Sequence, residues 1–237
     1  MSSFLSKFSE KTDFAQKQAE YAATHPSVSV VNGKEAYFLS VKEPPRRAFF
    51  VPLIFDRAHD LPFFPMHNYV DIIKNEGGKA ETGHMSYMCR GYVGKDCPIC
   101  ANGQRPSKRA YFKAIVCVAK EGQVELYKDK DGAYRLEYVD TSLAVSTELC
   151  TKALKDDRGF VGTIFDYSAT GEGKNTKYDL DVKEVLKKVT IDGDKVPDLD
   201  YEALEKGIAK YPTLEDYVLD MTSDMHYSTY VPVPKAK

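Results

Sequence analysis

Tryptophan is absent from the 237 residues, and no run approaches the roughly 18 apolar residues of a membrane helix, so neither a membrane span nor a membrane partner is expected. Charge of one sign is also missing. The formal net charge is −2, so a polyanion would have to be held by a local groove and not by bulk attraction. The opening residues, MSSFLSKFSEKTDF, lack the apolar centre of a secretory signal. Cysteine is scarce, with five in all, and three of them fall in one short stretch. That clustering argues for metal chemistry in a reducing cytoplasm and against a disulfide framework. None of the five histidines is followed two places later by Glu, which removes the signature of a zinc nucleobase deaminase. The glycine-rich stretch Thr170–Lys177 lacks P-loop spacing and opens onto no helix. No enzymatic activity is expected.

What is present centres on His84 to Cys100, HMSYMCRGYVGKDCPIC. Cys97-Pro98-Ile99-Cys100 is a knuckle that aims two sulfurs at one point, and Cys89 offers a third. A Cys-x2-Cys alone could be a redox pair, but such a pair should open a helix in a βαβ unit. Here Ala101 to Pro106 breaks a helix. A histidine completes a closed Cys3His set of the structural zinc type. His67 and His84 are both candidates. His84 is close in sequence. His67 falls beside Cys89 if residues 66–72 and 84–89 pair as a hairpin about Lys74–Gly78. Cys117, in an apolar run, reads as a buried thiol, and Cys150 as a helix residue.

Residues 2–24 read as an amphipathic helical arm, ended by His25-Pro26. Strands follow: Val28–Val31 and Ala36–Val41 about Asn32-Gly33, then Ala48–Phe55, then the metal hairpin, then Tyr111–Ala119. Val124–Tyr127 and Tyr134–Tyr138 form a hairpin about Asp131-Gly132. A helix spans Ser142–Leu154, and Phe160–Tyr167 pairs with Lys177–Val182. Two short helices near 199–209 and 213–222 close the chain, the second capped by Thr213. The class is mainly β with added helices (α+β). Its core is an OB-fold-like barrel, stiffened by a zinc-held hairpin and knuckle and flanked by N- and C-terminal helices. The expected divisions are a helical arm at 1–25, a core at 26–190 with a zinc subdomain near 60–105, and an acidic helical segment at 191–237.

Charge is distributed unevenly along the chain. From Arg90 to Lys120 seven basic residues face a single acid, Asp96, and Tyr92, Tyr111 and Phe112 lie among them. Cations for phosphates interleaved with rings for bases suit a single-stranded nucleic acid. Arg105, Lys108, Arg109 and Lys113 are expected on phosphates, and Tyr92, Tyr111 and Phe112 on bases. Arg46, Arg47, Lys174 and Lys177 are second-rank phosphate contacts. From Asp192 to Asp224, ten acids face three lysines, which suits either a solvated pair of helices or a surface for basic protein partners.

Together, Cys89, Cys97-Pro98-Ile99-Cys100, the upstream histidine, the strand KRAYFKAIVCV and the late hairpin GTIFDY…GKNTKYDLDV resemble the zinc-containing single-stranded-DNA-binding proteins of tailed bacteriophages. The resemblance covers roughly residues 30 to 185. It implies that His67 is the fourth ligand, though the gap to Cys89 is longer than the family's. It implies sequence-nonspecific coating of single-stranded DNA during phage replication, recombination and repair, in the cytoplasm of an infected host. The N-terminal arm would mediate self-association along DNA, and the acidic helices would meet replication or transcription proteins. The chain departs from the family in ending VPVPKAK. The competing reading is a zinc-stabilised phage interaction or transcription factor that recruits a polymerase.

Overall fold

The computed structural model describes residues 31–228 and 230, apart from 32, 35, 40, 42–45, 56–60, 77–78, 156–157 and 173–174. The expected N-terminal arm and most of the first strand of the first expected hairpin lie outside the described residues. Of that hairpin's return strand, Phe38 makes one parallel bridge to Tyr138. The chain is mainly β with added helices. Among the described residues no helix is long and apolar enough to cross a membrane.

Two compact units divide the chain. Among the described residues the first takes Lys34–Pro62 and Ala110–Pro212, and the second takes Val31, Gly33, Phe63–Arg109 and the segment from Thr213.

In the first unit, β1 (Arg47–Pro52) lies between β4 (Ser107–Lys120, mostly in this unit) and β7 (Thr163–Thr170). β7 pairs in turn with β8 (Lys177–Val185). All of these ladders are antiparallel, with Phe50 opposite both Val116 and Phe165. β5 (Gln123–Leu126) and β6 (Leu136–Ser142) also pair with β4. Alternation along β1 sends Phe50 into one apolar layer and Val51 into another.

The first layer is closed by α2 (Leu143–Leu154), whose Val145, Leu149 and Ala153 are buried. (α1 is the helical turn of the knuckle, Pro98–Ala101.) Ser142 caps α2, its hydroxyl accepting from the Val145 N–H. At this layer's centre Phe50 stacks on Phe165 at 5.9 Å, with Phe112 at 6.2 Å and Tyr167 edge-on at 6.3 Å. The second layer is closed by α3 (Tyr201–Lys210) through Ala203 and Leu204. Asp200 caps α3 by accepting from the Ala203 N–H. Close approach here requires Gly207: a Cβ would stand 2.7 Å from the Tyr134 carbonyl oxygen.

An unexpected hairpin, β9 (Lys188–Ile191) with β10 (Asp194–Pro197), turns at Asp192-Gly193. Both turn residues have positive φ, 50° and 84°, which is the primed turn that Asp-Gly favours in two-residue hairpins.

The second unit is built on a long hairpin of β2 (Phe63–Glu76) and β3 (Lys79–Met88), with α4 (Leu214–Met221) and α5 (Asp224–Ser228). Thr213 and Asp216 form a reciprocal capping box at the start of α4. α5 is a further helix that local patterning did not indicate.

Candidate metal centre

The hairpin register places His67 opposite Tyr87, two residues before Cys89. The Cys89 N–H donates to the Pro65 carbonyl at 2.7 Å, which pins the end of β3 beside β2. After Cys89 the chain makes a tight 3-10 turn, Arg90–Val93, closed by Gly94 at φ 73°. Cys97 then caps a single helical turn, α1 (Pro98–Ala101), with Pro at its first position. The Ala101 N–H donates to the Cys97 carbonyl at 3.0 Å, and Gly103, at φ 83°, ends the turn. The knuckle therefore contains one helical turn and then stops.

Four donor atoms converge. His67 Nε2 is 3.3 Å from Cys97 Sγ and 3.5 Å from Cys100 Sγ. Cys89 and Cys100 sulfurs are 3.6 Å apart. All four ligand atoms of His67, Cys89, Cys97 and Cys100 lie within 4.8 Å of one another, close enough to hold a metal ion. His84 is elsewhere: it is exposed, opposite Asp71, with its Nδ1 2.7 Å from that carboxylate.

Burial lowers the pKa of His67, favouring the neutral imidazole that can bind a cation. Burial opposes ionisation of Cys97. Backbone N–H groups of Cys100, Arg90 and Ile99, together with the Tyr227 hydroxyl, nevertheless hold its pKa below the ordinary thiol value. Desolvation of its sulfur, then the neighbouring sulfurs, pushes Cys100 up to about 12. Three sulfurs this close cannot all ionise without a cation between them. Beneath the centre Ile99 is fully buried with Val70, Ile72, Tyr87 and Tyr227.

Sequence reasoning missed one shell of contacts. The Tyr227 hydroxyl lies 3.7 Å from Cys97 Sγ and donates to the Met88 carbonyl. Arg90 sits over the Tyr227 ring at 5.0 Å and pairs with Asp224. Tyr227 is 130 residues from Cys97, and no local signal marks it.

The expected nucleic-acid contacts divide. Arg105 and Lys108 are exposed on the segment that leaves the knuckle, and Arg109 is partly buried. The Tyr92 ring is 43% exposed and backed edge-on by Phe64 at 5.3 Å. Gln104 and Ser107 tie this segment to β2: the Gln104 amide donates to the Asn68 carbonyl at 3.2 Å and the Ser107 hydroxyl to that of Met66 at 3.3 Å.

Tyr111, Phe112 and Lys113 are corrected. They are 3%, 2% and 6% exposed, because β4 is covered on both faces there, so neither ring can stack on a base and the ammonium is not offered to a phosphate. Arg47 is exposed but engaged with Asp166. Arg46 donates to the Gly171 carbonyl at 2.5 Å. Lys177 is exposed at the start of β8, and Lys174 lies outside the described residues.

The acids of the C-terminal stretch are partly committed: Glu215 is buried, Asp216 belongs to the cap of α4, and Asp224 pairs with Arg90.

No known protein family, curated protein or solved structure matches the chain.

Proposed function

We propose that the centre binds zinc as a closed structural site and that the chain binds single-stranded DNA without sequence preference. The donor spacing supports zinc. A tetrahedron with ~2.3 Å metal–sulfur and ~2.0 Å metal–nitrogen bonds has edges of about 3.5–3.8 Å, and three donor pairs lie 3.3–3.6 Å apart. Four protein ligands leave no position for a reacting water, so the site acts by folding the loop and not by catalysis.

One observation carries the DNA reading. The half-exposed Tyr92 ring lies in the loop between Cys89 and Cys97, and the exposed cations Arg105 and Lys108 lie on the segment that follows Cys100. Cations on phosphates and a ring on a base are the elements of nonspecific single-strand binding. A metal-held loop would pre-order the ring, and the Gln104 and Ser107 bonds to β2 hold the segment with the cations, which lowers the entropy cost of association. The OB-like arrangement and the role in phage replication and recombination belong to this same reading, as does coating of the strand through self-association.

The test is an anisotropy titration of labelled oligo-dT, a mixed single strand and the matching duplex across a salt series. Binding to both single strands, weaker binding to duplex and a steep decline with salt is the expected result. Flat curves at micromolar protein and low salt would overturn it in favour of a polymerase-recruiting factor.

A further inference from the structure

The last described segment of the chain is fastened to the metal loop by four side chains. Asp224 pairs with Arg90. His226 meets the Tyr87 ring edge-on at 5.3 Å. The Tyr227 hydroxyl reaches Cys97 Sγ and the Met88 carbonyl. The Tyr230 hydroxyl accepts from the Asn102 amide at 2.6 Å, and its ring packs on Tyr87 at 5.8 Å. α5 has only five residues, too few for a helix to be stable alone. Its order must therefore come from tertiary contacts, and these four end on residues 87–102.

We infer that the metal centre is the latch for the C-terminal segment: metal binding docks α5, and Tyr227 is the positioning residue that couples the two. This rests on the reading that the four ligands hold zinc. The hydroxyl donates to the Met88 carbonyl at the end of β3, and its oxygen lies 3.7 Å from the Cys97 sulfur, so one side chain of α5 touches both the hairpin and a ligand of the centre. Outer contacts of this kind orient ligands and tune affinity. The metal also fixes residues 89–100, and so positions Arg90 and Asn102 for Asp224 and Tyr230. Coupling of this sort is reciprocal: whatever factor the metal adds to docking, docking adds to metal affinity.

The latch is read by hydrogen exchange on the full chain, with one equivalent of zinc and after chelation, with zinc content measured on the same samples. On stripping, amides of 224–228 are expected to lose protection at least tenfold together with those of 89–101, while 143–154 stays protected. Retained protection at 224–228 beside a loosened 89–101 would overturn the latch. Tyr227→Phe keeps the ring and its packing but removes the proton. With cobalt(II) as the probe metal, the variant should show a shifted thiolate-to-cobalt absorption band and about tenfold faster metal loss to a chelator, the lower end of outer-shell effects. An unchanged band and rate would overturn the role of Tyr227. A chain that binds neither zinc nor cobalt would overturn the metal centre itself, an outcome distinct from the failure of the latch.

Discussion

Arg47 lies across Asp166 with two parallel contacts, Nε to Oδ1 at 2.9 Å and Nη2 to Oδ2 at 2.5 Å, joining adjacent strands β1 and β7. The fork geometry is that of a bidentate carboxylate partner. The cation is therefore already neutralised, and the hydrogen bond to Asp166 holds its pKa above the ordinary value. Arg47→Ala is expected to change single-strand affinity by less than twofold and to lower the melting temperature slightly. A tenfold loss of affinity with unchanged melting would contradict this.

Arg105→Ala and Lys108→Ala should each weaken binding to every single strand alike. Each should also reduce the slope of log K against log salt by about 0.7, the release of one phosphate contact. Lys113→Ala should leave that slope unchanged, since the side chain is buried. Tyr92→Ala should cost about 1–3 kcal/mol of affinity with no change in slope, because a stacked ring carries no charge. Salt titrations of the four variants separate these outcomes.

Cys97→Ser should abolish stoichiometric zinc and cost on the order of 4 kcal/mol or more of the second unit's stability, since the binding free energy of a structural zinc is folding free energy. Single-strand affinity should decline with it. Chelation of the wild-type chain should reproduce the effect. A variant that keeps both its melting temperature and its affinity would remove the structural metal.

Gly207→Ala sets two effects against each other. Alanine in a helix gains about 1 kcal/mol over glycine. The added Cβ, however, would stand 2.7 Å from the Tyr134 carbonyl oxygen, which is backbone and cannot swing aside. The Tyr134 N–H is also bonded to the Ala203 carbonyl at 3.0 Å, so the helix cannot simply withdraw. Overpacking should win, with a net loss of about 1–2 kcal/mol measured by denaturant unfolding.

Acid should loosen the first unit. The Lys210 ammonium holds Asp129 below its ordinary value, and Lys128 does the same for Asp200. The folded pKa is depressed in both, so their contribution is fully present above the ordinary value near 3.8 and is lost as the pH falls through the lower folded values. Melting temperature should decline between about pH 4 and pH 2, less steeply in Lys210→Met, which returns Asp129 toward its ordinary pKa. Equal slopes in the two proteins would refute the linkage.

Some of this was legible in the chain and some was not, and the difference is one of range. Cys89, Cys97 and Cys100 lie within twelve residues, so spacing alone marks them as a set. The β2–β3 pairing followed from alternation about one turn, and it brought His67 opposite Tyr87. The Thr213 cap was legible because capping is a property of four adjacent residues. The β9–β10 hairpin carries a local Asp192-Gly193 turn signal inside a stretch whose composition is dominated by acids. Tyr111, Phe112 and Lys113 have the composition of a binding face but are buried in the fold. A strand covered on both sides shows no alternation, and composition cannot say which rings face inward.

The sequence by itself determined the three candidate cysteines, the strand-rich class and the local caps, because each depends on neighbours within one turn or one hairpin. Only the tertiary structure decided which histidine joins the cysteines and which cations remain open to solvent, and only it brought Tyr227 from 130 residues away onto Cys97. Those outcomes depend on burial and on contacts between distant segments, and no local pattern of residues encodes them.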